Sequence, residues 1–140
     1  MQLSPYLTFP GTCAEAFRFY ERCFRGQIEM MQTHGDSPMA AQSPPDWHAM
    51  ILHVSLRIGQ DRLLGSDRPP GSDEKAQGFA ACFSLEDPAE AERIFAELAD
   101  GGTTQMAMQQ TFWAERFGMC TDRFGTPWII NGGTTTPPTA

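Results

Sequence analysis

Histidine is scarce in this chain, with only His34, His48 and His53 among 140 residues, and cysteine is limited to Cys13, Cys23, Cys82 and Cys120. No two cysteines form a CxxC pair or take zinc-knuckle spacing, which excludes the common structural zinc motifs. Positive charge is the minority sign: ten Lys and Arg stand against 17 Asp and Glu, for a net charge of −7. A field of that sign repels phosphate backbones and anionic lipid, so neither nucleic acid nor a membrane is expected as a partner. No apolar run approaches the ~20 residues of a membrane-crossing helix. The opening MQLSPYLTFPG has no basic segment followed by an apolar one, so the expectation is a cytoplasmic protein without a disulfide framework. There is no GxGxxG after a strand, no Walker loop and no GxSxG elbow, which removes the commonest nucleotide-binding and serine-hydrolase signatures.

What the chain does contain is a pattern that occurs twice. Leu3–Phe9 is a short β-prone run closed by Pro10-Gly11. Thr12 and Glu15 form a capping box for a helix whose apolar positions are Ala16, Phe17, Tyr20 and Phe24, and Gly26 stands where a left-handed terminating residue belongs. Strands are predicted at about Gln27–Thr33, His48–Ile58 and Arg62–Asp67, with a long polar loop before the second and a tight Gly59-Gln60 reversal before the third. The second half reads the same way. Phe79–Ser84 is β-prone, and Asp87, Pro88 and Glu90 open a helix with Ala91, Ile94, Phe95 and Leu98 on its apolar face. Strands follow at about Thr103–Gln110, Glu115–Asp122 and Thr126–Asn131. A shift of 75 residues lays Ala14-Glu15-Ala16 on Ala89-Glu90-Ala91, Arg18 on Arg93 and Gly26 on Gly101. The matching order of elements points to a duplicated strand–helix–three-strand unit. One domain is expected over residues 1–131, with module one at about 1–70 and module two at about 76–131. Residues 132–140 are expected to form a flexible tail.

Several stretches resemble the PhnB-like branch of the vicinal oxygen chelate superfamily, which includes glyoxalase I, bleomycin resistance proteins and extradiol dioxygenases. They are Leu3-Ser-Pro-Tyr-Leu7, Ala14-Glu-Ala-Phe-Arg-Phe-Tyr20, Leu64-Gly-Ser-Asp67, Asp87-Pro-Ala-Glu-Ala-Glu-Arg-Ile-Phe95, Gln110-Thr-Phe-Trp-Ala-Glu-Arg-Phe-Gly118 and Asp122-Arg-Phe-Gly-Thr-Pro-Trp-Ile-Ile-Asn131. The departure is Ala114-Glu115, where the branch has Gly-Ala. The resemblance implies an α+β fold: two tandem βαβββ modules whose half-barrel sheets enclose a cleft. It also implies that metal-dependent relatives draw His and Glu ligands from the first and fourth strands of each module. Here those strands carry no His or Glu and one carboxylate, Asp67, whereas a catalytic metal takes about three protein ligands.

The expected function is therefore binding of a small molecule in the cleft, with no cofactor and without the usual metal. The alternative is a metal-dependent isomerase, lyase or dioxygenase whose divalent ion is held by atypical ligands such as His53, Asp67 and Glu115. His53 is the candidate proton shuttle, against a plain hydrogen-bonded histidine in a sheet. Neighbours on a strand face opposite sides, so only one of Glu115 and Arg116 can point into a cleft. Arg116 suits an anionic group such as a carboxylate or phosphonate, against an ion pair with Asp67 or Asp122. Phe112, Trp113, Phe117 and Trp128 are candidates to line the pocket, against serving as core. Cys13, at a helix start, is either a reactive thiol or a small buried hydrophobe. A homodimer is expected, because each module leaves sheet edges unpaired.

Overall fold

The computed structural model describes residues 1–69, 71 and 74–134. The chain divides into two units between Glu74 and Lys75. The first contains β1 (Tyr6–Phe9), α1 (Cys13–Phe24), β2 (Gln27–Thr33), β3 (Ile51–Ile58) and β4 (Asp61–Asp67). The second contains β5 (Ala81–Leu85), α2 (Pro88–Ala99), β6 (Thr103–Gln109), β7 (Ala114–Thr121) and β8 (Pro127–Thr134). The sheet orders are β1-β4-β3-β2 and β5-β8-β7-β6. In each, the first and last strands pair in parallel and the rest pair antiparallel. The duplication read from the sequence is thus a duplication of topology.

Each sheet buries one face against its own helix. In the first unit Leu7, Phe9, Val54, Leu56 and Leu63 meet Ala16, Phe17, Tyr20 and Phe24, all under 8% exposed. Phe9, Phe17 and Tyr20 form a ring cluster with centroids 5.6–6.4 Å apart. In the second, Ala114, Cys120, Trp128 and Ile130 lie buried with Ala91, Ile94, Phe95 and Leu98. Both apolar faces predicted for the helices are the buried ones.

The starts of the two helices are built differently. Asp87 caps α2 as expected, its Oδ1 accepting from the Ala89 N–H at 2.9 Å. Thr12 makes no side-chain cap bond, so the predicted capping box does not form. A carboxylate from across the sheet replaces it. Asp67 Oδ1 accepts from the N–H groups of Gly11 and Cys13, at 3.0 and 2.9 Å, while Oδ2 accepts from the Ile51 N–H at 2.8 Å.

The ends of the helices correct a second expectation. The left-handed residue after α1 is Arg25 (φ 51, ψ 43), not Gly26. For an L residue that conformation costs roughly 1–2 kcal/mol. Gly26 is needed for space instead: a Cβ there would sit 2.5 Å from the Arg57 carbonyl oxygen. The second unit divides the two tasks between two glycines. Gly101 takes the left-handed turn (φ 76), and Gly102 makes the close approach, 2.1 Å from the Thr121 oxygen to a would-be Cβ. Gly102, rather than Gly101, is therefore the counterpart of Gly26.

Strand boundaries also move: β1 begins at Tyr6 rather than Leu3, and β5 spans Ala81–Leu85 rather than Phe79–Ser84. β3 begins at Ile51 rather than His48, because Pro45–Trp47 forms a 3-10 turn ahead of it. β8 runs on to Thr134, with Gly132 paired to Arg116 and Thr134 to Ala114. Gly132, Gly133 and Thr134, expected in a tail, thus belong to the sheet; positions 135–140 of that tail lie outside the described residues.

Loss of the Asp67 carboxylate strands three N–H donors. Asp67→Ala is expected to lower stability by roughly 2–4 kcal/mol. Thr12→Ala should cost less than about 0.5 kcal/mol, since its hydroxyl caps nothing. Urea unfolding followed by circular dichroism measures both.

Candidate functional site

Strand alternation sends one set of side chains in each sheet away from its helix. On the first sheet these are Tyr6 and Thr8, His53 and Ser55, and Leu64 and Ser66. Tyr6 is 50% exposed, and its ring centroid lies 5.9 Å from that of His53. On the second sheet they are Cys82, Ser84, Phe117, Met119, Ile129 and Asn131. The direction is fixed by Gly118 and Gly132, whose missing Cβ atoms would meet Phe95 and Ala91 on α2.

The open face of the second sheet carries the most chemistry. Asn131 Nδ2 donates to Cys82 Sγ at 3.2 Å and to Ser84 Oγ at 3.3 Å. Its Oδ1 is buried and has no hydrogen-bond partner among the described residues. Ahead of β7, Thr111 Oγ1 accepts from the N–H groups of Trp113 and Ala114, at 3.4 and 3.1 Å. That turn delivers two large rings to the surface. Phe112 is 75% exposed and Trp113 39%. Trp113 packs edge-on against Phe112 at 4.6 Å and against Phe117 at 5.2 Å. Glu115 shares this face, its side chain lying over Gly133.

The residues singled out in the sequence separate accordingly. Phe112, Trp113 and Phe117 form one cluster. Trp128 does not join them: it is 3% exposed on the helix side, and its Nε1 donates to Asp122 Oδ2 at 2.8 Å. Arg116 also points to the helix side, where Nε meets Glu92 Oε1 at 3.1 Å. An ion pair was one of the two expectations for Arg116, but its partner is Glu92. Asp122 is engaged elsewhere, accepting from Phe124 N, Thr126 N and Trp128 Nε1. His53 and Asp67 lie on opposite faces of the first sheet, because the Asp67 carboxylate turns toward the start of α1. His48 contacts the Ala40 oxygen at 3.0 Å in the loop before β3. His34 is half-buried, with its ring 5.9 Å from Trp47.

The open-face positions of β1, β4, β5 and β8 present hydroxyl, thiol, amide and apolar groups together with Arg62, but no imidazole or carboxylate. That donor set does not fit a divalent metal ion, which takes imidazole, thiolate or carboxylate ligands in sets of about three or more. Among the described residues no three His, Cys, Asp or Glu are grouped to hold one. The Cys82–Ser84–Asn131 group was missed in the sequence. Parallel pairing of β5 with β8 brings it together, setting Ser84 opposite Asn131.

Two such units, each with its first and fourth strands paired in parallel, define the glyoxalase/bleomycin resistance-like α+β fold. A family model described as 3-demethylubiquinone-9 3-methyltransferase matches residues 1–131, and the chain belongs to that family. It is 36% identical over 141 residues to Protein YjdN of Escherichia coli K12, covering 94% of this chain and 95% of that one. It is 43% identical to protein PA1353 of Pseudomonas aeruginosa, with a TM-score of 0.86 over 94% of this chain and 97% of that one. A PhnB protein from Bacillus cereus shares the fold at 18% identity and a TM-score of 0.79, over 94% and 99% of the two chains. No helix among the described residues is long and apolar enough to cross a membrane.

The thiols give a direct check on these placements. Cys13, Cys23 and Cys120 are at most 1% exposed, while Cys82 is exposed. Burial, with Asp67 nearby, pushes the Cys13 thiol well up, and burial with Asp122 nearby pushes Cys120 up from 9.0 to about 11. One thiol per native chain, Cys82, is expected to react with a disulfide reagent at pH 8. The unfolded state ionises its thiols first, so the contribution of the buried Cys120 to stability should be fully present below about pH 9 and lost as pH rises through about 11. Peptide mapping and alkaline titration of unfolding read out the two effects.

Proposed function

We propose that this protein binds a small molecule on the open face of its second sheet, without a metal. The observation that carries the reading is the exposed ring cluster of Phe112, Trp113 and Phe117 on the face that also holds the unpaired Asn131 Oδ1. Apolar surface with a few convergent polar groups is the usual chemistry of a small-ligand site. The ligand this suits has a flat or apolar body for the rings and an N–H or O–H group for Asn131. Arg116 has no part in it, since its guanidinium is on the other face, so the ligand need not be anionic. The metal-dependent alternative is disfavoured because His53 and Asp67 lie on opposite faces of one sheet, with Asp67 committed to three backbone N–H groups.

The family description names a methyl transfer, but the reading here is binding. The glycine-containing turn between β1 and α1 gives the Gly11 and Cys13 N–H groups to Asp67, leaving them unavailable to a cofactor. The mixed sheets are not a doubly wound nucleotide fold. The reading also places the protein in the cytoplasm, in keeping with four free cysteines. It further makes the protein a homodimer, because the edge strand β6 is exposed along most of its length and carries no charge to keep a second copy away.

A thermal-shift screen of small aromatic compounds, confirmed by tryptophan fluorescence, is expected to find ligands. Trp113→Ala should weaken them about tenfold or more, while costing the free protein only about 1 kcal/mol. Equal affinity in the variant would overturn the site. A stoichiometric divalent ion in protein purified without chelator would overturn the metal-free reading, and a light-scattering mass near 15.5 kDa would overturn the dimer.

A further inference from the structure

A guanidinium drawn partly out of water loses hydration that its surroundings must replace, and a carboxylate is its usual partner there. Three arginines are half-buried: Arg62, Arg68 and Arg93. Two of them follow the rule, Arg62 pairing with Glu29 and Arg93 with Glu90 and Glu97. Arg68 does not. Among the described residues no carboxylate pairs with it. Its Nε is buried without a hydrogen-bond partner, and its Nη1 donates only to the Thr8 oxygen, at 3.3 Å. A carbonyl orients a guanidinium but leaves its charge in place. The adjacent acid, Asp67, turns to the helix side, where its two oxygens are taken by the N–H groups of Gly11, Cys13 and Ile51.

Backbone pairing fixes where the unbalanced charge sits. In the ladder between β1 and β4, Pro5 O accepts from Leu64 N and Phe9 O from Arg68 N. Carbonyls alternate in direction along a strand, so that of Thr8 points away from β4. Among the described residues β4 is the only strand paired with β1, so this is the outer edge of the sheet. The Arg68 side chain therefore reaches past the end of β1 and sets its guanidinium at that edge. Tyr6, Thr8 and Pro10 are exposed along β1 and just beyond it. With Nε covered, the donors left for a ligand are the paired Nη groups, and the Thr8 hydroxyl stands on the residue that orients them. Paired N–H donors match the two oxygens of a carboxylate, and one positive charge is balanced by one negative charge.

We infer that the outer edge of β1 is a carboxylate-binding site, in which the Nη groups of Arg68 pair with a monoanionic ligand beside Thr8. It lies in the first unit and does not depend on the ring cluster of the second.

The probe is acetate, which offers the ring cluster no aromatic body, compared with chloride at matched pH and ionic strength. At about ten times its Kd, acetate is expected to raise the wild-type Tm by roughly 3–5 °C. Arg68→Met removes the charge and keeps the apolar stem, so it should abolish that increment while its Tm without acetate stays within about 2 °C of wild type. Arg68→Lys keeps the charge without the planar fork and should retain less than half of the increment. Trp113→Ala should retain all of it. Three outcomes overturn the inference at the level of the site: acetate and chloride acting alike on the wild type, Arg68→Met keeping the increment, or Trp113→Ala losing it. A fall of more than about 5 °C in the Tm of Arg68→Met without acetate would overturn it by assigning the guanidinium to holding β1. Phosphate exceeding acetate in an Arg68-dependent increment would overturn the choice of a carboxylate.

Discussion

The Asp67 carboxylate is the fastening on which the first unit depends. It sits at the end of β4, yet its oxygens reach the loop before α1, the first turn of that helix and the first residue of β3. One side chain therefore sets where the helix starts relative to two strands. It meets backbone N–H groups that the helix start and strand edge would otherwise leave unpaired. In the second unit Asp122 plays a comparable part at the opposite end of its sheet, holding two turn N–H groups and the buried indole of Trp128. The two repeats share a topology but pin it at different corners.

This explains which features the sequence made legible. Element order, the buried helix faces and the duplication depend on local period and on punctuation by glycine and proline, and the structure agrees with them. The capping box at Thr12 fails because its competitor lies 55 residues away, where no local signal can show it. The exchange of roles between Arg25 and Gly26 was hidden for a similar reason. Only the carbonyl of Arg57, on another strand, shows that the glycine serves space rather than dihedral freedom.

The candidate site follows the same division. Alternation along β7 requires Glu115 and Arg116 to part, but it cannot say which of them faces α2. Glu92 on that helix decides the matter. The aromatic residues looked alike in sequence and separate in space, because Trp128 lies next to the buried Ile130 side of β8 while Phe117 lies on the other face of β7. A donor set can be counted from sequence, but its facing requires the sheet. The Cys82–Ser84–Asn131 group depends on a parallel pairing between strands more than forty residues apart.

Parallel pairing of first and fourth strands also bears on how the chain is made. Among the described residues β1 is an edge strand whose only neighbour is β4, so it has no place in a sheet until β4, ending at Asp67, has been synthesised. By that residue all four strands of the first sheet have been made. The strands of one sheet are thus all synthesised before any strand of the other, with the division between the units falling at Glu74 and Lys75. The second unit repeats the sequence of events, held open until β8 emerges to take its place beside β5.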